Sequence, residues 1–160
     1  MCDVDLCEVW DMLNGEPQSS VDASVDASMD VEEGKEDDHD AVQLIELTDP
    51  NQLVAVGELR DTDLLKLNGP RDLAGFVLDD KVYIIVASPY DDGVQMIDVT
   101  DPSNVTALDG ASNGEAGFSE LDVADSVETY QMGNSVYAIV ASYYDGVQIM
   151  GFEPELFDAA

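Results

Sequence analysis

Positive charge is scarce in this sequence. Five Lys and Arg and a single His stand against 36 Asp and Glu, giving a formal net charge of −31 over 160 residues. The clustered cations that phosphate backbones require are missing, which excludes nucleic acid and anionic membrane surfaces as partners. Cysteine is nearly absent too. Cys2 and Cys7 are the whole supply, too few for a disulfide framework or a four-ligand zinc site. No run approaches the roughly 18 apolar residues of a membrane span, so membrane insertion is not expected. Met1-Cys2-Asp3-Val4-Asp5 lacks the basic start and apolar stretch of a secretory signal. Gly-x-Ser-x-Gly elbows and Gly-rich phosphate loops are also missing. What is present is apolar material, at 45% of the chain, enough to bury a core and too much for a featureless acidic tail.

The acids are unevenly placed. Residues 1–40 carry 14 acids and one base, residues 41–100 carry 11 and four, and residues 101–160 carry 11 and none. Such a surface repels itself at low ionic strength. Salt shortens the screening length to about 8 Å at physiological strength and about 3 Å at 1 M. A salt-adapted, halophilic or marine protein is the expectation.

A repeat sets the architecture. Val82-Tyr83-Ile84-Ile85-Val86-Ala87-Ser88 recurs as Val136-Tyr137-Ala138-Ile139-Val140-Ala141-Ser142. Tyr90-Asp91-Asp92-Gly93-Val94-Gln95-Met96-Ile97 recurs as Tyr144-Asp145-Gly146-Val147-Gln148-Ile149-Met150, one Asp shorter. An earlier copy, Val42-Gln43-Leu44-Ile45-Glu46-Leu47-Thr48-Asp49-Pro50, matches Val94 to Pro102. The 82–88 run is β-branched and almost wholly apolar, as a strand covered on both faces requires, and 136–142 is expected to share that core role. The Asp-Gly pairs at 92–93 and 145–146 suit tight hairpins in which Gly takes a positive φ. Leu73–Leu78 and Val127–Met132 read as preceding strands, closed by turns at Asp79-Asp80 and Gly133-Asn134. Thr-Asp-Pro ends the third strand, since Pro supplies no donor. A weaker fourth strand follows at Val105–Leu108, echoed by Leu53–Val56. Gly110–Gly117 reads as a loop.

Four short antiparallel strands per roughly 50 residues describe a blade of a β-propeller, and one blade cannot bury its faces alone. The expected class is all-β, with antiparallel four-stranded blades over 41–152, incomplete at two to three blades. Residues 1–14 offer an extra strand around Val4–Trp10. Residues 15–40 read as an acidic low-complexity linker, mostly disordered, and 153–160 as a tail.

The stretch VYIIVASPYDDGVQMIDVTDPSNV resembles the LVIVD repeat. In that family an apolar strand, an Asp/Gly turn, a Val-Gln-Ile-Ile-Asp-Val-like strand and an Asp-Pro-Ser-Asn turn recur. The resemblance covers about two-thirds of the chain and departs from the pattern in the first 40 residues and after Met150. It implies a propeller repeat of bacterial or archaeal surface or secreted proteins, marine ones included, with no catalytic residues to carry over. A closed propeller needs at least four blades. The chain is therefore expected to be a fragment of a longer array, or to self-associate and hide its open edges.

Candidate chemistry is sparse. His39, within Glu36-Asp37-Asp38-His39-Asp40, reads as part of a solvated charge run rather than as a metal ligand. A Ser-His-Asp triad would have to use it. The carboxylate pairs, Asp79-Asp80 and Asp91-Asp92 among them, are explained by turn chemistry before glycosidase chemistry. Asp91, Asp92 and Asp145 are the candidate calcium ligands, with a plain hairpin turn as the competing and preferred reading. Asp98 and Asp101 are expected to cap or turn the strand end. Tyr90, Tyr143 and Tyr144 lie at hairpin tips, where exposed aromatics beside carboxylates could contact a glycan or a protein; the competing reading is a tyrosine that shields its turn. The expected function is a non-catalytic repeat module for binding or structural support in a larger surface or secreted protein. The rival is a fragment of a calcium-dependent hydrolase or lyase whose active site lies elsewhere.

Overall fold

The computed structural model describes residues 21–25, 40–144 and 146–152, the first of these stretches by its backbone alone. Ten strands and no α-helix are found among them: β1 (Val21–Val25), β2 (Ala41–Asp49), β3 (Gln52–Arg60), β4 (Asp72–Leu78), β5 (Lys81–Ser88), β6 (Gly93–Asp98), β7 (Thr106–Ser112), β8 (Ala124–Met132), β9 (Ser135–Ser142) and β10 (Val147–Phe152). They form three antiparallel sheets: an N-terminal one ordered β1-β2-β3, a middle one β4-β5-β6-β7 and a C-terminal one β8-β9-β10.

The middle sheet lies between the other two. In β5 every residue from Tyr83 to Ser88 is buried. Ile84 and Val86 point into a core with Val42 and Leu44 of β2. Ile85 and Ala87 point the opposite way, onto Val127, Ala138 and Val140 of the C-terminal sheet. Two-sided burial is what a nearly continuous apolar run predicts. Each such Ile or Val contributes roughly 1.5–3 kcal/mol relative to exposure.

Its sequence twin behaves differently. In β9 burial alternates, with Val136, Ala138 and Val140 inside and Tyr137, Ile139 and Ala141 only half covered. The core role expected of 136–142 thus holds on one face of the strand. The sequence repeats, but among the described residues no fourth sheet covers the outer face.

The turns also differ from expectation. Four residues, 89–92, join β5 to β6, with a 3₁₀ turn over Pro89–Asp91. The left-handed residue is Asp92, at φ 49, and Gly93 is instead the first residue of β6. Glycine is needed at 93 for close approach, because a Cβ there would overlap the carbonyl oxygen of Ala111. The fourth strand is longer than expected: β7 runs to Ser112, so the connecting loop starts at Asn113 rather than Gly110. β3 likewise extends to Arg60. β1, inside the stretch read as linker, pairs antiparallel with β2 from Val21↔Glu46 to Val25↔Val42. The expected strand within 1–14 and the tail at 153–160 lie outside the described residues.

The Asp-Pro turns act as expected. Asp101 Oδ1 accepts from the backbone N–H and the hydroxyl of Ser103 at 3.0 and 2.7 Å, and Asp49 Oδ1 accepts from Asn51 N–H at 2.9 Å. Asp98 Oδ1 accepts from Thr100 N–H at 2.9 Å. These are Asx turns, in which a short carboxylate closes the chain on itself. The Ser103 bonds hold the Asp101 carboxyl below its usual pKa.

Candidate functional site

Tyr90, Asp91 and Asp92 sit in the loop between β5 and β6, and Tyr143 and Tyr144 follow β9 at the same end of the neighbouring sheet. A third segment, the connection from Asn113 to Val123, runs between them. Asp92 binds it twice: the carboxylate accepts from Val123 N–H at 2.9 Å and the backbone carbonyl from Asn113 N–H at 2.7 Å. Val123 has φ 55, a rare conformation for a β-branched residue, and its carbonyl accepts from Tyr143 N–H at 3.0 Å. One relay, Asp92 to Val123 to Tyr143, therefore couples the two loops.

Asp91 is employed as well. Its Oδ2 accepts from Asn68 N–H at 2.8 Å, anchoring the connection between β3 and β4. On the same connection Asp40 Oδ2 accepts from Gly69 N–H at 2.7 Å. Asp61 lies among these groups, and its carboxyl pKa is raised, first by desolvation and then by repulsion from Asp91 and Asp40. Asp61 Oδ1 is buried without a hydrogen-bond partner. Both Asp91 and Asp92 thus serve as acceptors for backbone amides, a role that turn chemistry alone explains. Asp145, the third candidate calcium ligand, lies outside the described residues. Among those described, no group of three His, Cys, Asp or Glu side chains is gathered as a metal ion requires.

The tyrosines divide. Tyr90 is exposed, yet its ring lies against Gly69 so closely that a Cβ there would overlap the ring. Gly69 also has φ 65, so it is both the floor and the bend under that ring. Tyr143 and Tyr144 make a T-shaped pair with centroids 4.9 Å apart, and are 72% and 70% exposed. Tyr90 shields a turn; Tyr143 and Tyr144 present a free aromatic edge.

Two features were not legible beforehand. One is Gln95, buried within β6, where Oε1 accepts from Lys66 N–H at 3.0 Å and Nε2 donates to Asp109 O at 3.0 Å. The sequence marked it only as a polar alternation. The other is a cleft of about 290 Å³ between the middle and C-terminal sheets, walled by Ile85, Met96, Ala111, Phe118 and Phe152 with Asp109 at its side. It opens beside β7, where the C-terminal sheet has no counterpart strand among the described residues. No family model matches this chain, and no curated protein matches it.

Proposed function

We propose that the chain is a non-catalytic β-propeller repeat module of the LVIVD type, three successive blades that bind a partner or give support within a larger, salt-adapted surface or secreted protein. One observation carries the reading: equivalent repeat positions keep the same facing from sheet to sheet. Val42 and Leu44 of the N-terminal sheet pack toward the middle sheet, and Val94 and Met96, their equivalents, pack toward the C-terminal sheet. Sheets that repeat their facing in a constant direction are what successive blades require.

The residues gathered at the loop end are aromatic and acidic, and they favour contact over turnover. The Tyr143–Tyr144 edge would supply stacking area for a sugar face or a peptide. Asp91 and Asp92 are occupied in holding loops together. A crystal structure of the chain grown from molar NaCl tests the blade reading. Sheets that diverge like a fan from a common axis are expected, and flat parallel layers would overturn it. Hydrolysis or elimination of acidic glycans in the presence of calcium would overturn the non-catalytic part.

A further inference from the structure

The outer face of the C-terminal sheet is built like a face already used inside the chain. On the middle sheet Phe76 and Tyr83 pack with centroids 5.4 Å apart, and Phe152 stacks on Phe76 at 5.4 Å. Fifty-four residues later Tyr130 and Tyr137 repeat that pair at 5.2 Å and 16°, but they face outward. Met132, Val147 and Ile149 share their face at 61%, 55% and 55% exposure. Their repeat equivalents, Leu78, Val94 and Met96, are all buried. Register confirms a shared face, since Tyr130 pairs with Tyr137, and Ile139 with Ile149.

The covering side chains are equally defined. Met150 and Phe152 of β10 cover the middle sheet. Their repeat equivalents are Ile97 and Val99, which pack on the N-terminal sheet, and then Ile45 and Leu47 on β2. In β2 those two residues alternate with Val42 and Leu44 and so lie on the outer face of the N-terminal sheet. Ala55 pairs with Ile45 there, and Leu53, two residues before it, is 66% exposed. One end of the stack receives; the other end covers.

We propose that a second copy of this chain docks the outer face of its N-terminal sheet on the exposed face of the C-terminal sheet, its Leu47 seated over Tyr130 as Phe152 is over Phe76. The contact is head-to-tail, so it leaves the same two faces free at the far ends and must either close or grow. The described residues of each copy bring three sheets, and closed propellers hold about four to eight. Two copies of the described sheets fall in that range and three exceed it, so this chain by itself closes as a two-copy ring. The number of copies rests on the propeller reading above; the face-to-face docking does not. With a net charge of −31 on each copy, association needs screening and belongs to high salt.

Solution mass by sedimentation equilibrium in molar NaCl tests this, on the chain and on Ile149→Glu and Leu53→Glu, which alter opposite ends at exposed positions. The chain is expected to form a dimer of twice 17.2 kDa. Each variant should keep the parent melting temperature at concentrations low enough for the parent to be monomeric, and weaken dimerisation about 30-fold or more. A monomer up to near-millimolar concentration would overturn the docking and leave the blade reading standing. Mass that grows without limit would overturn the two-copy ring and the propeller geometry with it. A dimer sensitive to Ile149→Glu alone would mean two C-terminal faces in contact and would overturn the head-to-tail arrangement.

Discussion

The carboxylate of Asp92 holds the amide of Val123 across 31 residues of sequence, and both ends of that bond have left-handed backbone, at φ 49 and 55. The bond ties a hairpin tip of the middle sheet to the only connection between that sheet and the C-terminal one. Strain of this kind costs on the order of 1–3 kcal/mol per residue and persists only where surrounding contacts hold it. The acceptor of Val123 N–H is therefore a keystone for the second loop as well, since Tyr143 N–H bonds to the carbonyl of the same valine.

Replacing Asp92 separates its two roles. Asp92→Ala removes the acceptor and places a poorly suited side chain in a left-handed conformation, so a loss of about 2–3 kcal/mol is expected. Asp92→Asn keeps an acceptor oxygen and tolerates the backbone, and should cost under about 1 kcal/mol. Urea unfolding of the two variants in high salt measures the gap. Equal losses would refute the role given to the carboxylate.

The turn between β4 and β5 is improvable. Asp79 and Asp80 both have positive φ, at 51 and 61, the geometry of a type I′ turn, in which Asp is accepted but Asn-Gly is the preferred pair. Asp79→Asn with Asp80→Gly should stabilise the chain by about 1 kcal/mol. Thermal melts at matched salt read this out, and a lower melting temperature would contradict it.

Asp61 makes the fold sensitive to pH in a particular direction. Its folded-state pKa lies above 3.8, through desolvation first and then repulsion from Asp91 and Asp40. The folded form holds the proton more tightly than the unfolded chain, so its favourable contribution is complete below pH 3.8 and lost as pH rises through the folded value. Asp61→Asn should thus raise stability at pH 7 by up to about 1 kcal/mol, a figure held down by solvent screening. The advantage should vanish below pH 3.8. Melting curves across that range check both limits.

Salt should act on the whole surface. From low to molar NaCl the melting temperature is expected to rise by about 5 °C or more, roughly 2 kcal/mol for a chain of this length. A flat response would remove the case for salt adaptation.

Much of this fold could be read from residue patterns, and the exceptions have physical causes. Tyr83–Ala87 announced a doubly covered strand because nothing in it tolerates water. Val136–Val140 made the same announcement and is covered on one side only, because burial depends on a neighbour that the strand's own residues do not encode. Asp92-Gly93 looked like a glycine turn. The αL residue is the aspartate, since Gly93 is needed where β6 closes on Ala111. The tyrosine loops were placed correctly at hairpin tips, but pattern could not tell Tyr90, which lies on Gly69, from the free Tyr143–Tyr144 pair. That difference comes from a contact 21 positions away in sequence. β1 was invisible because Val-Asp-Ala-Ser-Val carries too little apolar signal to separate a paired edge from a solvated linker.

The grip of Gln95 reaches beyond its own strand. Lys66 lies in a surface connection between two sheets, where an amide proton would ordinarily trade with solvent in moments. Its N–H points at a buried side chain of β6, so it exchanges only when that hydrogen bond lets go. A single amide on an outer loop is thus slowed by a residue of the interior, and its deuterium uptake would register how often the loop parts from the sheet.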